Sequence, residues 1–520
     1  MKHVFLMTVC FLFLMKGNCK DFYVDAVAGN DNNNGLSKNV AWRTLEKVSN
    51  NSFTPGDIIA FKTGQRFVGT LHINSSGTEF RPLIYTTFGG ATPSIIDGNG
   101  DSTSIYCLNH QYINLTNLAV TNFRNGVVTK DDVFTGIRII NQDAGTLHHF
   151  HLDSVRVYNV NSTHIAKDEG KNDQSRFYGG VLFYTRGDKV RSNFDGVMIT
   201  HSSFENLSRT GFNFRSDWDR RSAFSKFGDS IGKGMTDNWT PNTHVVFRDN
   251  HFKNIAGNGL IVRVATGALI EHNLFDSCGV IISGNAVFNF NTDGTVYQYN
   301  EAKNTIYNEG DTDARGIDSD YRTKNTTIQY NYLHDNGLGG VTATGGPGVG
   351  DNPVNFNMGT IIRYNIIENN ARQGVYISGR VEGLEMYNNV VYADARFNDV
   401  VAIKLNKWTV YPNGSSFSNN IFCFKGTNAS YAFTSATNVL FSHNLYSGIL
   451  PPTEFKDPFP LDTDPRFMAP GTGWQGYKLL KKSPAILAGT AIKSNVEKDF
   501  YGNRIDKNKV LNIGIENIIK

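Results

Sequence analysis

One pattern constrains this chain more than any other. A run of four or five β-forming residues ends in Asn and is followed by a short apolar run. It reads INLTN (Asn117), VRVYN (Asn159), VVFRDN (Asn250), LIEHN (Asn273), VYQYN (Asn300), TIQYN (Asn331), IIRYN (Asn365), LEMYN (Asn388), SFSNN (Asn420) and LFSHN (Asn444). VMITHS keeps the plan with Ser202 in the Asn place. From Asn250 onward the spacings are 23, 27, 31, 34, 23, 32 and 24 residues. A floor near the smallest spacing with variable insertions fits a coil of three short strands joined by unequal loops. Asn suits such a coil for two reasons. It tolerates the left-handed backbone of a sharp bend, and its amide can bond to the equivalent amide one coil away, about 4.8 Å along the stack. The alternative, that Asn only marks surface turns, does not account for the constant flanking pattern.

A second regularity sets the register. Nine residues after the turn residue comes Gly: Asn117 to Gly126, Ser202 to Gly211, Asn250 to Gly259, Asn331 to Gly340, Asn365 to Gly374. Each opens another strand, as in GFNFRS, GLIVRV, GVTATG and GVYISG, while Ala286 and Gly316 hold the place in coils with longer lead-in loops. This order resembles the coil of the pectate-lyase-like right-handed β-helix superfamily, over roughly residues 80–470 by the repeat criterion. The resemblance implies an all-β, right-handed parallel β-helix solenoid with three short strands per coil and an N-terminal cap. FYVDAVAGNDNNNGLSKNVAWRTLEKV is similar to the opening module of secreted bacterial β-helix proteins, with a short capping helix from Thr44 to Val48. DPRFMAPGTGWQGYKLLKKSPAILAG resembles their closing segment. The expected division is 1–19 signal peptide, 20–80 cap module, 81–470 β-helix and 471–520 closing segment.

The first residues pair Lys2 and His3 with an apolar run from Val4 to Met15, too short to span a bilayer, and so read as an export signal cleaved near Cys19. Cys19 as a lipidated first residue is the alternative, against which Lys16 stands. No later stretch is long and apolar enough for a membrane span. The formal charge of +3 drops to +1 when Lys2 and Lys16 leave, which gives no support to nucleic-acid binding. Cys107, Cys278 and Cys423 are too few and too scattered for a disulfide framework or a metal set. An exported, periplasmic or cell-surface monomer that needs no cofactor is the expectation.

Alternation in the Gly-led strands sends Phe212 and Phe214, Leu260 and Val262, and Val375 and Ile377 inward. Outward, toward solvent, go Asn213, Arg215 and Asp217; Ile261 and Arg263; Phe288 and Phe290; Asp318, Asp320 and Arg322; Thr342 and Thr344; and Tyr376, Ser378 and Arg380. In pectate-lyase-like enzymes this ribbon floors the substrate groove, so the resemblance implies a polysaccharide or oligosaccharide partner. Arg215, Asp217, Arg263, Phe288, Phe290, Tyr376 and Arg380 become candidate substrate-binding residues, since rings stack on sugars and charges fix hydroxyls or uronates. A slip of one residue would instead make Phe288 and Phe290 core. Trp218 and Trp239, in a loop-rich segment, are candidate sugar platforms roofing the groove, and His334 reads as structural.

NEGDTDARGIDSDYRTKNTTIQYNYLHDN gathers Glu309, Asp311, Asp313, Asp318, Asp320 and Asp335 in one coil and its lead-in. It resembles a segment of bacterial β-helix proteins found with glycan-degrading systems, although Gly337 and Asn258 stand where relatives carry acidic residues. Two residues apart on a strand, Asp318 and Asp320 would hold carboxyls about 6–7 Å apart. That overlaps the roughly 6.5–9.5 Å of inverting glycosidases. Three readings stand: a catalytic pair, a Ca²⁺ site built from Asp311, Asp313, Asp318 and Asp320, or a solvated polar face. A glycoside hydrolase comes first, a polysaccharide lyase on a uronate second, and a non-catalytic glycan-binding surface protein third.

Overall fold

The computed structural model describes residues 19–517 except 127, 130–131, 163–177, 222–236, 347–354, 409, 434–435, 493–495 and 507–509. The segment read as an export signal lies outside the described residues apart from Cys19.

The chain winds through three parallel sheets of fourteen, fourteen and fifteen strands among the described residues. In one coil, Thr243–Arg248 lies in the first sheet, His251–Ile255 in the second and Leu260–Thr266 in the third. Leu269–Glu271 then returns to the first sheet, parallel to the strand it left. Parallel crossovers of L-residues are right-handed. The fold is a right-handed parallel β-helix. No helix among the described residues is long and apolar enough to cross a membrane. The expected short helix is Leu45–Ser49, with Thr44 Oγ1 accepting from the Lys47 amide. Its Leu45 and Val48 bury with Phe22, Trp42 and Phe53 in the apolar cluster that fills the coils.

Inside, equivalent residues stack from coil to coil. Phe204, Phe252 and Phe275 lie face to face with centroids 4.5 and 4.8 Å apart. The Asn column is continuous from Asn250 through Asn273, Asn300, Asn331, Asn365, Asn389 and Asn420 to Asn444. Each side-chain Nδ2 donates to the next Oδ1 at 2.9–3.1 Å. Asp457 ends it, one carboxylate oxygen accepting from both the amide and Nδ2 of Asn444 at 2.9 Å. Ser202 donates its amide to Asn250 Oδ1, so it holds the first place as expected.

Three assignments need correction. The two jobs given to one Asn are divided between neighbours: the left-handed residue is the one before each ladder amide, as at Asp249, His272, Tyr299 and Tyr330 (φ 55–57°). The ladder member in LEMYNN is therefore Asn389, while Asn388 (φ 53°) occupies the left-handed place, as does Asn117 (φ 49°). Asn159 sits at a different turn, aligned with Asn206.

The small-residue column of the third sheet runs Gly136, Gly180, Gly211, Gly259, Ala286, Gly316, Gly340, Gly374 and Ala402 in one register. Gly136 fills the place assigned to Gly126, which lies in a loop. Here each residue lies hard against the next coil. A Cβ on Gly211 would sit 2.3 Å from the Gly259 carbonyl and 2.8 Å from the Phe252 ring. Gly211→Ala should therefore destabilise the protein by about 1–3 kcal/mol. Guanidinium unfolding checks this, and a change below about 0.5 kcal/mol would mean that the coils separate freely there.

Residues after about 465 run along the side of the solenoid. Phe467, Tyr477, Leu479, Ile513 and Ile515 cover Ile366, Val390, Ile421 and Leu445, the outer face of the second sheet.

Candidate active site

The third sheet keeps the inward and outward register expected from alternation. Phe212, Leu260, Val287, Ile317, Val341 and Val375 are fully buried in the core. Phe288, Asp318, Thr342 and Tyr376 align outward across four successive coils. The coil with Phe288 has not slipped.

Outward does not mean solvated. Ile261, Arg263, Phe288, Asp318 and Thr342 are all buried, because loops entering and leaving the strands fold over this face. Between those loops is a cavity of about 440 Å³ lined by Asn285, Phe288, Thr312, Asp313, Arg315, Asp318, Asp320, Tyr321, Thr342, Tyr376, Asn406 and Trp408, among others. The third sheet supplies Asp318 from Arg315–Ser319, Thr342 from Gly339–Gly345, and Tyr376 from Gln373–Gly379.

Asp318 is only 7% exposed. Its Oδ2 accepts from Asn285 Nδ2 at 3.1 Å, and its buried Oδ1 has no protein partner among the described residues. Burial drives its pKa well above the ordinary carboxylate value; the negative charges of Asp320 and Asp313 add to this, while Arg315 and the Asn285 bond oppose it. Asp320 follows the strand end, its amide bonded to the Asn289 carbonyl and its Oδ1 accepting from the Tyr321 amide at 2.8 Å. Asp313 comes from the lead-in loop, with Oδ2 accepting from Ser283 Oγ at 3.1 Å. Arg315 is sealed in: Nη1 donates to the Thr312 carbonyl, Nη2 to Gln373 Oε1 at 3.0 Å, and the guanidinium lies 4.7 Å from the Tyr376 centroid. Asn406 Nδ2 donates to the Tyr376 hydroxyl at 3.1 Å.

Of the candidate catalytic and substrate-binding residues, Asp318, Asp320, Phe288 and Tyr376 meet in this cavity, joined by Asp313 of the acidic cluster and by Thr342 and Thr344 of the outward ribbon, while Arg215, Asp217, Arg263, Phe290 and Arg380 do not line it. Arg263 is buried with its guanidinium 4.8 Å from the Phe290 centroid; Arg322 approaches the same ring, and Tyr321 packs edge-on against it. Phe290 is thus flanked by two guanidiniums and a tyrosine ring rather than placed in the cavity. Asp217 accepts from the Tyr184 hydroxyl at 2.9 Å, in the coil to which Arg215 belongs. Arg380 lies past its strand, its backbone bonded to Gly345 and Asn357. Trp218 is buried, and Trp239 is covered by Arg221 at 3.9 Å; neither forms a platform over the cavity. The aspartates proposed to hold Ca²⁺ do not converge as one set. Asp311 Oδ1 is taken by Ser283 and the Asp313 amide, and no cluster of three or more acidic, imidazole or thiol groups suited to a metal occurs among the described residues. His334 lies on the second sheet, where bonds to Asp335 and Glu301 outweigh burial and raise it to about 9.

Alternation missed Asn285, Arg315, Asp313, Asn406 and Trp408. A signal for two of them was present: Asn285 and Arg315 each immediately precede a member of the small-residue column, in one register.

The fold places the chain among right-handed parallel β-helix proteins, and the family described as "Right handed beta helix region" matches residues 238–394. The chain is 23% identical to the lacto-N-biosidase of Bifidobacterium longum subsp. longum, covering 93% of this chain and 36% of that protein. It thus spans about a third of the length of the curated relative it matches. Among solved structures it is similar to the GH136 lacto-N-biosidase from Eubacterium ramulus: 18% identity, 80% of this chain, 68% of the other, TM-score 0.59. It is also similar to XylC in complex with xylose: 10% identity, 96% and 98% coverage, TM-score 0.52. These two likenesses establish the β-helix fold.

Proposed function

We propose that the protein is an exported glycoside hydrolase in which Asp318 is the proton donor and Asp320 the base. The observation that carries this is a buried Asp318, its Oδ1 without a protein partner among the described residues, lining a roomy cavity beside a second carboxylate. A carboxyl kept protonated by burial and like charge can protonate a glycosidic oxygen near neutral pH. Asp320 takes a proton from water as that water attacks the anomeric carbon. The C–O bond breaks, and the leaving oxygen receives the Asp318 proton. Similarity to a lacto-N-biosidase supports this class of reaction. The lining argues for an uncharged sugar. Asp313, Asp318 and Asp320 line the cavity, while the one guanidinium there among the described residues, that of Arg315, is engaged by Thr312, Gln373 and Tyr376. A uronate carboxylate would meet repulsion, which disfavours the lyase reading.

Incubation of the purified chain with a panel of neutral and uronate-containing glycans tests this. New reducing ends without an unsaturated product are expected. Unsaturated uronates would establish a lyase, and binding without turnover a glycan-binding protein. The pH profile adds a second test. Asp313 raises the Asp318 pKa, so Asp313→Asn should let Asp318 ionise sooner and move the alkaline limb of kcat/KM to lower pH. If Asp313→Asn abolishes turnover while Asp320→Asn retains it, the base is Asp313 and the assignment to Asp320 fails.

A further inference from the structure

A second cavity, of about 240 Å³, lies on the edge between the first and second sheets, across the coil from the third. Its floor is the column of left-handed turn residues. His272, Tyr299 and Tyr330 stack with centroids 4.9 and 5.0 Å apart and planes within 11°. The side chains at this place are free to stack because the preceding-residue bend turns them outward while the ladder amides turn in. Its wall is Trp474 from the C-terminal segment, which rests on Tyr501 at 6.1 Å. Trp474 and Tyr299 are 43% and 40% exposed, unusual for aromatics that border one hollow.

Polar groups stand among these rings. Glu301 lines the hollow, and both of its cationic partners, Lys303 at 2.8 Å and His334 at 3.3 Å, engage the same oxygen, Oε1. Oε2 has no protein partner among the described residues and is open to accept a hydroxyl. The Trp474 indole N–H and the Tyr299 hydroxyl, which also border the hollow, likewise have no partner among the described residues. Glu301 and Asp335, which bonds His334 Nδ1 at 2.7 Å, together balance Lys303 and His334, so the hollow favours neither an anion nor a cation.

We propose that this hollow is a second sugar-binding site, taking one neutral pyranose ring between Trp474 and the edges of the tyrosine column. An indole face receives the apolar C–H face of a pyranose, and the electropositive ring edges receive its oxygens. Glu301 Oε2 and the indole N–H fix the hydroxyls. The volume is below the roughly 300–1,000 Å³ of drug-sized sites, which suits a single ring. The sugar class rests on the hydrolase reading above, since a chain that cuts a glycan gains from holding it at a second point.

Saturation-transfer NMR with galactose, xylose and N-acetylglucosamine in turn tests the site on the full chain carrying Asp318→Asn, so that nothing is turned over. At least one sugar should bind, and Trp474→Ala and Tyr299→Ala, made separately, should each weaken that binding roughly tenfold. Trp408→Ala, which alters the catalytic cavity, should leave this component in place. The two variants lie on different segments, so if one fails to fold the other still answers. Binding unaffected by both, or no binding by any of the three sugars, overturns the proposal. If the site binds while the parent chain turns over no glycan, the second site stands and the hydrolase reading falls.

Discussion

Asp318→Asn should abolish turnover, by about 10²–10⁴-fold, and at the same time raise the melting temperature at neutral pH. The activity loss follows from removing the donor proton. The stability gain follows from linkage. The folded-state pKa of Asp318 lies well above its unfolded value of about 3.9. Below that pH both states hold the proton and burial has no titration cost. As pH rises toward the folded value, the unfolded chain ionises first, so stability is lost across that interval. An amide does not titrate, and its oxygen can still accept from Asn285 Nδ2. The variant should therefore melt higher than the parent at pH 7, with the difference vanishing near pH 3. Melting curves at both pH values, with activity measured alongside, decide it. A variant that melts lower at pH 7 would mean that the ionised carboxylate is favourable in the folded chain, and Asp318 would not be the acid.

Asn331→Ala should cost on the order of 3–5 kcal/mol of stability. Asn331 is fully buried. Its Oδ1 accepts from both the amide and Nδ2 of Asn300, at 3.0 and 2.9 Å. Its Nδ2 donates to the carbonyls of Tyr297 and Gln329 and to Asn365 Oδ1. Truncation leaves several of these groups buried without partners, each at about 1–3 kcal/mol and not fully additive. Guanidinium unfolding measures the loss. A cost below about 1 kcal/mol would show that the Asn residues do no more than mark turns.

The fold was legible because a solenoid repeats its constraints. The period-two pattern after the small-residue column placed Val287 inside and Phe288 outside, and one such coil supports the next. Errors arose where two residues met one rule. In LEMYNN either Asn fits, and only the hydrogen bonds distinguish Asn388 from Asn389. At VRVYN the left-handed preference of Asn is real but serves another turn. The site was half legible. Asp318 and Asp320 followed from strand register, whereas Trp408 enters the cavity from about ninety residues away, through a loop path that no local pattern encodes. Arg263 and Phe290 were misread because alternation reports which side of a sheet a residue takes, not what lies over it. Their charges and rings satisfy one another under the loops.

The end of the Asn column at Asp457 has an electrical meaning. Every ladder amide points its N–H toward the next coil and its carbonyl toward the previous one, so the small dipoles add along the axis, positive toward Asn444. The carboxylate of Asp457 sits against that positive pole, as an anion sits at the start of an α-helix. The two poles are therefore not interchangeable. A whole coil duplicated between Asn250 and Asn444 would lengthen the rod and keep both poles intact, whereas Asp457→Asn would leave the positive pole without its counter-charge.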